Sequence, residues 1–501
     1  MKELLQQIRQ KAVVSPRQAA IRDELVLLDY EQLVQEVDRL SSTLKGERIG
    51  LMMDNGVAWA CLDLAVLNRG AVCVPMPNFF SADQLRHLIT DADLDEIITD
   101  QPERLTGLLD NFALSDIRVA SHGLSVFRRA STASRSPLPA GTIKVTYTSG
   151  TTGQPKGVCL SALTLTGITR SLSDAVVARE SDRSLSLLPL STLLENIAGV
   201  YVPLWAGALA QVPSLVSCGF TGSSGLDMGK VFTALAWARP TSTVLVPQLL
   251  KAVVGGVMAG LPPPESLRFI AVGGAPVADS LMQDARALGL PVFQGYGLSE
   301  AGSVVCLNLP GATRDKSVGK PLPHLGVSVQ PDGEIIVKGA IHLGYLGEET
   351  NAPRSDHWST GDLGYLDEDG FLFLTGRKKT AYSTAFGRNV SPEWVEAALT
   401  GQYRIAQAAL FGEGQPFNVA VLVPKRDATE HELAHAVHSV NQHLPDYAQV
   451  THWIVAKQPF STANQLMSPS GCIQRARIYA EYQTQIEPLY FSTQEKTRVV
   501  L

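Results

Sequence analysis

The chain has 501 residues, of which 45% are hydrophobic and 18% are charged, and its formal net charge at pH 7 is −6. This length and apolar content predict a large core divided among more than one domain, and the acidic balance excludes a basic surface for nucleic acid. No apolar run reaches the roughly eighteen residues of a membrane-spanning helix, and the polar first residues lack a secretory core, so the sequence predicts a cytoplasmic protein with no transmembrane segment.

The first hundred residues alternate between helical and strand patterns. Apolar spacing and strand-forming runs predict helices at 33–44 and 59–68 and strands at 49–53, 71–75 and 96–99. Gly70 is placed to end the second helix, and Ser81 with Gln84 three residues later is a capping box for another. These repeated βαβ units predict a parallel sheet with helices on its faces.

A loop with the composition of a phosphate-binding site follows a predicted strand at 143–147. Residues 147–157 combine three glycines, four Ser or Thr hydroxyls and one lysine. Glycines let backbone N–H groups approach an anion, hydroxyls donate hydrogen bonds to it, and lysine supplies positive charge. The candidate residues are Thr148, Ser149, Gly150, Thr151, Thr152, Gly153 and Lys156. The order differs from the common P-loop, in which Gly-Lys precedes Ser or Thr, and composition alone would also fit a surface turn.

Two further clusters follow in the chain. Val-Gly-Gly-Ala-Pro at 272–276 precedes Gln-Gly-Tyr-Gly-Leu-Ser-Glu at 294–300, and Ser-Thr-Gly-Asp-Leu-Gly at 359–364 precedes Thr-Gly-Arg-Lys-Lys at 375–379. Each cluster alone is compatible with an ordinary turn. In this order, and together with the loop before Lys156, they resemble the adenylate-forming superfamily of acyl-CoA synthetases, luciferases and peptide-synthetase adenylation domains. The resemblance covers most of the chain and is closest to long-chain fatty acyl-CoA synthetases.

The resemblance implies an α/β fold in two domains. A large N-terminal AMP-binding domain over 1–376 would contain parallel-sheet βαβ subdomains and a small β-barrel-like part. A hinge at 377–379, with Lys379 as its pivot, would lead to a small mobile α+β C-terminal domain over 380–501. The implied reaction joins a small-molecule carboxylic acid to the α-phosphate of ATP with Mg²⁺, and then passes the acyl group to a thiol. That thiol is either coenzyme A or the phosphopantetheine of an acyl carrier protein.

Site residues are carried over from the matching motifs. Tyr296 would stack on adenine, Glu300 would hold Mg²⁺, Asp362 would accept hydrogen bonds from the ribose hydroxyls, and Arg377 would contact ribose and phosphate. An aromatic ring suits a base face, and a carboxylate suits a hard cation. Gly387 would line the tunnel for the CoA thiol. The remaining nucleotide-binding candidates are Gly274, Ala275, Pro276, Gly295, Gly297 and Ser299.

The substrate segment is Leu-Pro-Leu-Ser-Thr-Leu-Leu-Glu at 188–195. It resembles an acyl-CoA synthetase motif, with the catalytic candidate Thr192 where a histidine is frequent. Amino-acid-activating relatives place an aspartate near Leu190 to pair with the substrate ammonium. Because leucine offers no charge to a buried cation, the sequence favours an acid without an α-amine. The apolar residues 197–208 either line an acyl chain or form a core helix.

The main departure from the family is Cys472. Residues 460–475 resemble the closing motif of long-chain acyl-CoA synthetases, but Cys472 occupies the position of a lysine that bridges carboxylate and α-phosphate. Losing that catalytic charge should cost about 3–4 kcal/mol of transition-state stabilisation, which predicts slow adenylation. Three explanations remain: a nearby cation such as Lys457 or Arg477 substitutes, the protein transfers acyl groups from preformed acyl-adenylate, or it binds nucleotide without turnover.

Six cysteines are scattered through the chain without Cys-x-x-Cys spacing. This pattern predicts small buried hydrophobic residues and argues against a disulfide framework or a cysteine metal site.

Overall fold

The computed structural model describes residues 1–109, 112–130, 137–148, 155–221, 225–348, 356–385, 388–468 and 471–497. Helices α1–α13 are, in chain order, Lys2–Val14, Tyr30–Thr43, Val57–Arg69, Ala82–Asp91, Ala162–Ala175, Leu193–Glu195, Val202–Trp205, Met228–Ala238, Pro247–Met258, Asp279–Ala287, Pro392–Gly401, Glu430–Asn441 and Arg475–Thr497. A π-helix, Asn196–Tyr201, joins α6 to α7, and 3₁₀ turns lie at Pro102–Arg104, Ser299–Ala301 and Asp446–Ala448. No helix in these ranges is both long and apolar enough to cross a membrane.

The strands are numbered in the same way. Strands β1–β9 are Ala19–Arg22, Leu27–Asp29, Arg48–Met52, Val72–Pro75, Glu96–Thr99, Phe112–Val119, His122–Arg129, Thr142–Thr148 and Lys156–Ser161. Strands β10–β18 are Arg183–Leu185, Leu209–Gln211, Phe220–Thr221, Gly225–Leu226, Ser242–Leu245, Phe269–Val272, Val292–Leu298, Ser303–Leu307 and Lys320–Pro321. Strands β19–β27 are Leu325–Val329, Glu334–Gly339, His357–Leu366, Leu372–Arg377, Tyr382–Ser383, Asn389–Val390, Ile405–Phe411, Asn418–Pro424 and Val450–Val455.

The first sheet has seven strands in the order β6-β7-β5-β3-β4-β8-β9. Its centre, β5-β3-β4-β8, is parallel, as the βαβ pattern predicts. The predicted helix signals are also present: Gly70 ends α3 with a left-handed φ of 80°, and Ser81 and Gln84 form the capping box of α4. The structure starts α2 earlier than predicted, at Tyr30, because Asp29 and Gln32 form a second capping box.

The second sheet has nine strands in the order β18-β17-β16-β15-β14-β10-β11-β1-β2. The strands from β1 to β16 along this order pair in parallel, and β17 turns back antiparallel to β16. Strands β19–β22 form a separate antiparallel sheet, which corresponds to the small β-barrel-like part that was predicted. The predicted large domain therefore contains two parallel-centred sheets, the four-stranded antiparallel sheet and a two-stranded antiparallel sheet, β12-β13.

The small C-terminal unit is an α+β structure. Its central sheet, β25-β26-β27, carries α11 and α12 against one cluster of buried residues, while α13 belongs to a second cluster. Arg475 at the start of α13 donates to Glu396 in α11 at 2.6 Å and ties the two clusters together. Residues 377–379 begin at the last residue of β22 and lead toward β23; their role as a hinge, and the boundaries at 376 and 380, remain predictions.

A fully buried polar network connects the two parallel sheets. Lys144 in β8 donates to Asp63 in α3 at 2.7 Å, to Asn196 at 2.6 Å and to Tyr201 at 2.7 Å. The Tyr201 hydroxyl also donates to Asp63 at 2.6 Å, and all four side chains are 1% exposed or less. A buried ammonium is tolerated only with such partners, so this network sets the position of β8 against the π-helix.

Replacing Lys144 by methionine tests this network. The Lys144→Met substitution leaves the Asp63 carboxylate buried without its cation, so we expect the free energy of unfolding to fall by about 3–5 kcal/mol. Guanidinium denaturation followed by circular dichroism measures the change. The control is Arg86→Met, which removes an exposed ion pair to Asp83 and should cost under about 1 kcal/mol. Equal stability of the two variants would contradict the role given to Lys144.

Candidate active site

The predicted phosphate-binding loop connects β8 to β9, its antiparallel partner, at the carboxyl end of a strand that pairs in parallel with β4. Strand β8 ends at Thr148, which pairs with Lys156 at the start of β9. Ligands of open α/β sheets bind at such strand ends. Five predicted phosphate-binding residues lie outside the described residues: Ser149, Gly150, Thr151, Thr152 and Gly153. Their role remains a prediction, but Thr148 and Lys156 place both ends of the loop.

Residues 343–346 run along the outer edge of β9. Backbone hydrogen bonds of 2.7–3.0 Å join this segment to Gly157 and Cys159. The pairing brings the Tyr345 ring beneath Lys156, whose Nζ lies 5.2 Å from the ring centre. An ammonium over an aromatic face is attracted by the negative face of the ring. Tyr345 thus fixes where the charge of Lys156 lies.

Tyr345 also contacts the predicted metal ligand. Its hydroxyl donates to Glu300 Oε1 at 2.7 Å, and Glu300 sits on the 3₁₀ turn that follows β16. Burial and the Glu300 carboxylate raise the pKa of the Tyr345 phenol, which therefore remains a donor at neutral pH. Our sequence reasoning missed Tyr345. The dipeptide Gly344-Tyr345 lies between two of the recognised motif clusters and belongs to neither. Tyr345 reaches the site only because residues 343–346 pair with β9, which is far away in the chain.

The predicted nucleoside side of the site is built around Asp362. Its Oδ2 accepts from the Tyr296 hydroxyl at 2.7 Å, and its Oδ1 is 2.8 Å from Nε of Arg377. Asp362 in β21 is 5% exposed and is directly paired with Arg377 in β22. Burial and Asp362 raise the pKa of Tyr296. A carboxylate has about four acceptor positions, so Asp362 retains capacity for further donors such as ribose hydroxyls.

The glycines around Tyr296 are explained by packing. A Cβ at Gly297 would lie 1.6 Å from the Ser303 carbonyl oxygen, and one at Gly295 would lie 2.9 Å from Leu307. Both therefore allow β17 to approach β16. At the neighbouring end of β15, Gly274, Ala275 and Pro276 are exposed, as a surface that contacts a ligand requires. Ser299 is half-buried on the 3₁₀ turn beside Glu300.

Magnesium fits this set of donors when it arrives with nucleotide. No group of three or more His, Cys, Asp or Glu side chains within the described ranges is arranged to hold a metal. Mg²⁺ commonly binds through one or two carboxylates together with substrate phosphates. Glu300, placed beside Lys156 by Tyr345, matches that arrangement.

The substrate segment belongs largely to the core. Thr192 is half-buried, and its hydroxyl donates to the Pro189 carbonyl at 2.7 Å, within its own turn. Of the two interpretations for residues 197–208, the structure favours core packing, since Ile197 and Val200 are completely buried. Leu190 is 1% exposed and its N–H donates to Asn55 at 2.8 Å.

Comparison with known proteins agrees with this geometry. A family model described as AMP-binding enzyme matches residues 8–346, and one described as AMP-binding enzyme C-terminal domain matches residues 382–494. The chain belongs to the AMP-binding enzyme family. It is an adenylate-forming enzyme of acyl-CoA ligase type, a class that uses ATP, Mg²⁺ and CoA.

Individual relatives of this AMP-binding enzyme come from two groups. The long-chain-fatty-acid–CoA ligase FadD15 of Mycobacterium bovis is 28% identical over 77% of this chain and 74% of its own. The 2-succinylbenzoate–CoA ligase of Bacillus cereus is 28% identical over 85% and 90%. Among solved structures, the anthranilate CoA ligase AuaEII in complex with anthranoyl-AMP has a TM-score of 0.78 at 17% identity, covering 95% and 96%. The O-succinylbenzoate coenzyme A synthetase of Bacillus subtilis with ATP and magnesium has 0.74 at 22%, covering 94% and 98%.

Cys472 is the cysteine that departs from the predicted burial. Cys61, Cys73, Cys159, Cys218 and Cys306 are buried, whereas Cys472 is exposed in the loop before α13. There its N–H donates to Ser468 Oγ at 3.1 Å, and its carbonyl accepts from the Ser468 N–H at 2.7 Å. The prediction that all six cysteines are buried is therefore wrong for Cys472, because this residue lies in a turn at the surface of the small domain.

The other small-domain candidates have mixed outcomes. Arg477 donates to Gln465 within the small domain, and Lys457 is exposed, so substitution for the missing lysine remains a prediction. Lys379 is also exposed, which suits a hinge. Gly387 lies outside the described residues, and its role at the thiol tunnel remains a prediction.

Nucleotide affinity tests Asp362. In Asp362→Asn the carboxylate loses its charge, which weakens its hold on Arg377 and its capacity to accept from ribose, so we expect the Kd for AMP to rise about 10- to 100-fold. Isothermal titration calorimetry measures this affinity. The matched control is Asp332→Asn, which neutralises an exposed carboxylate bonded to Lys378 on the same sheet and should leave the affinity unchanged. Wild-type affinity in Asp362→Asn would exclude Asp362 from the nucleotide site.

Glu195 predicts a pH dependence of stability. Burial raises the pKa of this carboxyl to about 8, an effect that the nearby Ser186 hydroxyl only partly offsets. Because the folded state holds the proton more tightly than the unfolded chain, stability should be lost as the pH rises from about 5 through 8. The loss should be on the order of 3 kcal/mol. Denaturation of wild type and Glu195→Gln across this range measures it. Parallel pH profiles for the two proteins would contradict the raised pKa.

Proposed function

We propose that this AMP-binding enzyme activates a fatty or related apolar carboxylic acid as acyl-AMP and transfers the acyl group to CoA. The observation that carries the proposal is the double role of β16. Tyr296 on this strand contacts Asp362, and Glu300 immediately after it contacts Tyr345 below Lys156. One strand therefore joins a nucleoside-binding half to a phosphate-binding half. The proposal includes a cytoplasmic location, because ATP and CoA are the co-substrates.

The nucleotide would bind across these two halves. Asp362 accepts hydrogen bonds from the ribose hydroxyls while Arg377 remains beside it, and Tyr296 supports the adenine. Lys156 and the hairpin loop hold the phosphates. Mg²⁺ held at Glu300 would neutralise phosphate charge. Fixed cations and donors at developing charge are the largest contribution to many enzymatic rate enhancements, because they need no reorganisation.

The chemistry then proceeds in two half-reactions. A carboxylate oxygen of the acid attacks the α-phosphorus of ATP, and the bond to the β-phosphate oxygen breaks to release pyrophosphate. The thiol sulfur next attacks the acyl carbon and loses its proton to solvent, and AMP leaves with the electrons of the acyl–oxygen bond. Lys156 stabilises charge in the first step, and the Asp362–Arg377 pair retains AMP through both. An acyl carrier protein is the alternative source of the thiol.

The substrate proposal rests on the apolar side chain at position 190, in the segment before the π-helix. Leu190 is buried and apolar, which suits an acid without an ammonium group. The relatives named above include a fatty-acid ligase and a succinylbenzoate ligase at the same identity. Both names describe acids without an α-amine, in agreement with Leu190.

A second candidate function follows from Cys472. With an uncharged, exposed side chain at the position of the bridging lysine, the protein would act mainly as a thioester-forming transferase on preformed acyl-adenylate. A non-catalytic nucleotide- or acyl-binding homologue is the third alternative. Pyrophosphate release with a panel of acids separates the ligase from the other two. CoA consumption with synthetic acyl-AMP separates the transferase from the binding protein.

Restoring the lysine tests the limiting step. Because Cys472→Lys adds a cation where charge redistributes, we expect acyl-AMP formation to accelerate about 100-fold or more. The matched control is Cys472→Met, which has similar length and no charge and should give no acceleration. Single-turnover formation of acyl-AMP, followed by mass spectrometry, measures both. An unchanged rate in Cys472→Lys would show that position 472 does not limit adenylation.

A further inference from the structure

Lys251 joins the large domain to the small one. This lysine on α9 donates through its ammonium group to the carbonyl of Thr400, and it lies 3.4 Å from the carbonyl of Gln402 and 3.5 Å from that of Ile405. These carbonyls belong to the end of α11 and the residues just after it. The last carbonyls of a helix lack partners within it and carry the negative end of its dipole. The end of α11 therefore forms a receptor for one cation.

A second contact closes the same interface. Gly401, the last residue of α11, lies against the start of α10. A Cβ at Gly401 would be 2.6 Å from the Ala278 Cβ and 2.9 Å from the Ser280 hydroxyl oxygen. Any side chain there would force the two domains apart. Glycine at 401 thus permits the approach that brings the carbonyls to Lys251.

The ammonium group of Lys251 is stabilised by hydrogen bonds to backbone carbonyl oxygens. Within the described ranges, this ammonium forms no ion pair with a carboxylate. Burial, together with Lys425, lowers its pKa to about 8, so it remains mostly protonated at neutral pH. Losing three carbonyl acceptors would leave this half-buried cation to be rehydrated.

The other end of α11 faces the nucleotide-binding half. Ser391 precedes the helix, and its side chain lies where a Cβ at Gly376 would be, with only 2.3 Å to the Ser391 oxygen. Gly376 adjoins Arg377, the partner of Asp362. Since α11 has ten residues, and a helix rises about 1.5 Å per residue, the two attachment points are about 15 Å apart. Attachment at both ends fixes the direction of the helix.

We propose that Lys251 is a positioning residue that holds the small domain in the orientation used for acyl transfer to the thiol. The inference rests on the proposed two-step function. In this orientation Ser391, just before α11, packs against Gly376 in β22, and Cys472 is exposed. Rotation toward adenylation requires Lys251 to release the three carbonyls.

Separate assays of the two half-reactions test the proposal. Lys251→Met removes the cation, and Gly401→Leu inserts a wedge at the same interface without touching Lys251. We expect both to slow thioester formation from synthetic acyl-AMP and CoA about tenfold, while pyrophosphate release with free acid is unchanged or faster. Lys251→Arg, which keeps a donor cation, should restore most of the transfer rate. Lys230→Met, at an exposed lysine on α8, is the matched control.

A distance measurement gives an independent readout. Spin labels at Leu114→Cys in the large domain and Glu430→Cys in the small one, in a Cys472→Ser background, report domain orientation by pulsed electron resonance. We expect Lys251→Met and Gly401→Leu to broaden the distance distribution. An unchanged distribution, or an equal loss in both half-reactions, would overturn the proposal. If the wild type transfers no acyl group, the proposed function fails, whereas the distances still decide whether Lys251 holds the domains.

Discussion

The buried ion pair between Lys144 and Asp63 is the constraint on which the arrangement of the site depends. An ammonium that is completely removed from water requires several partners, and the two further ones come from Asn196 and Tyr201. These residues are the first and last of the π-helix, whose wider i→i+5 turn suits two side chains five positions apart that face the same cation. Lys144 therefore holds β8, the strand that leads to the predicted phosphate loop, against the π-helix, which follows the predicted substrate segment.

From this fixed strand the site is built by pairing at sheet edges. Strand β9 pairs with β8, and residues 343–346 pair with the other edge of β9. This pairing places the Tyr345 hydroxyl within hydrogen-bonding distance of Glu300. On the other side, the close approach of β17 to β16 depends on the missing side chain at Gly297. Gly297, in the predicted nucleotide-binding motif, thus has a structural explanation that is separate from contact with a base. Backbone geometry, more than loop composition, determines where the charged groups lie.

Much of the local structure was predictable from the sequence, whereas its long-range contacts were not. Gly70 and the Ser81 capping box are confirmed because a left-handed cap and a reciprocal pair of hydrogen bonds involve only neighbouring residues. Tyr345 was missed because its role arises from pairing with β9, far away in the chain. The burial of Lys144 was not foreseen either, since a lysine within a strand carries no local sign of its partners. Cys472 was wrongly predicted to be buried, because the general tendency of cysteine to be buried does not determine which way a particular turn faces.

The charge pattern between the domains favours one orientation of the small domain. In the proposed function, a lysine at 472 would carry charge from the small domain to the nucleotide and would stabilise the adenylation orientation, but the chain has an uncharged cysteine there. Lys251 is a cation on the large domain that contacts the small domain, at the carbonyls near the end of α11. A difference of 1–3 kcal/mol in such contacts changes relative populations by about 5- to 150-fold. Under the proposed two-step function, the uncharged residue at 472 and the cation at Lys251 would therefore act in the same direction, toward acyl transfer and away from adenylation.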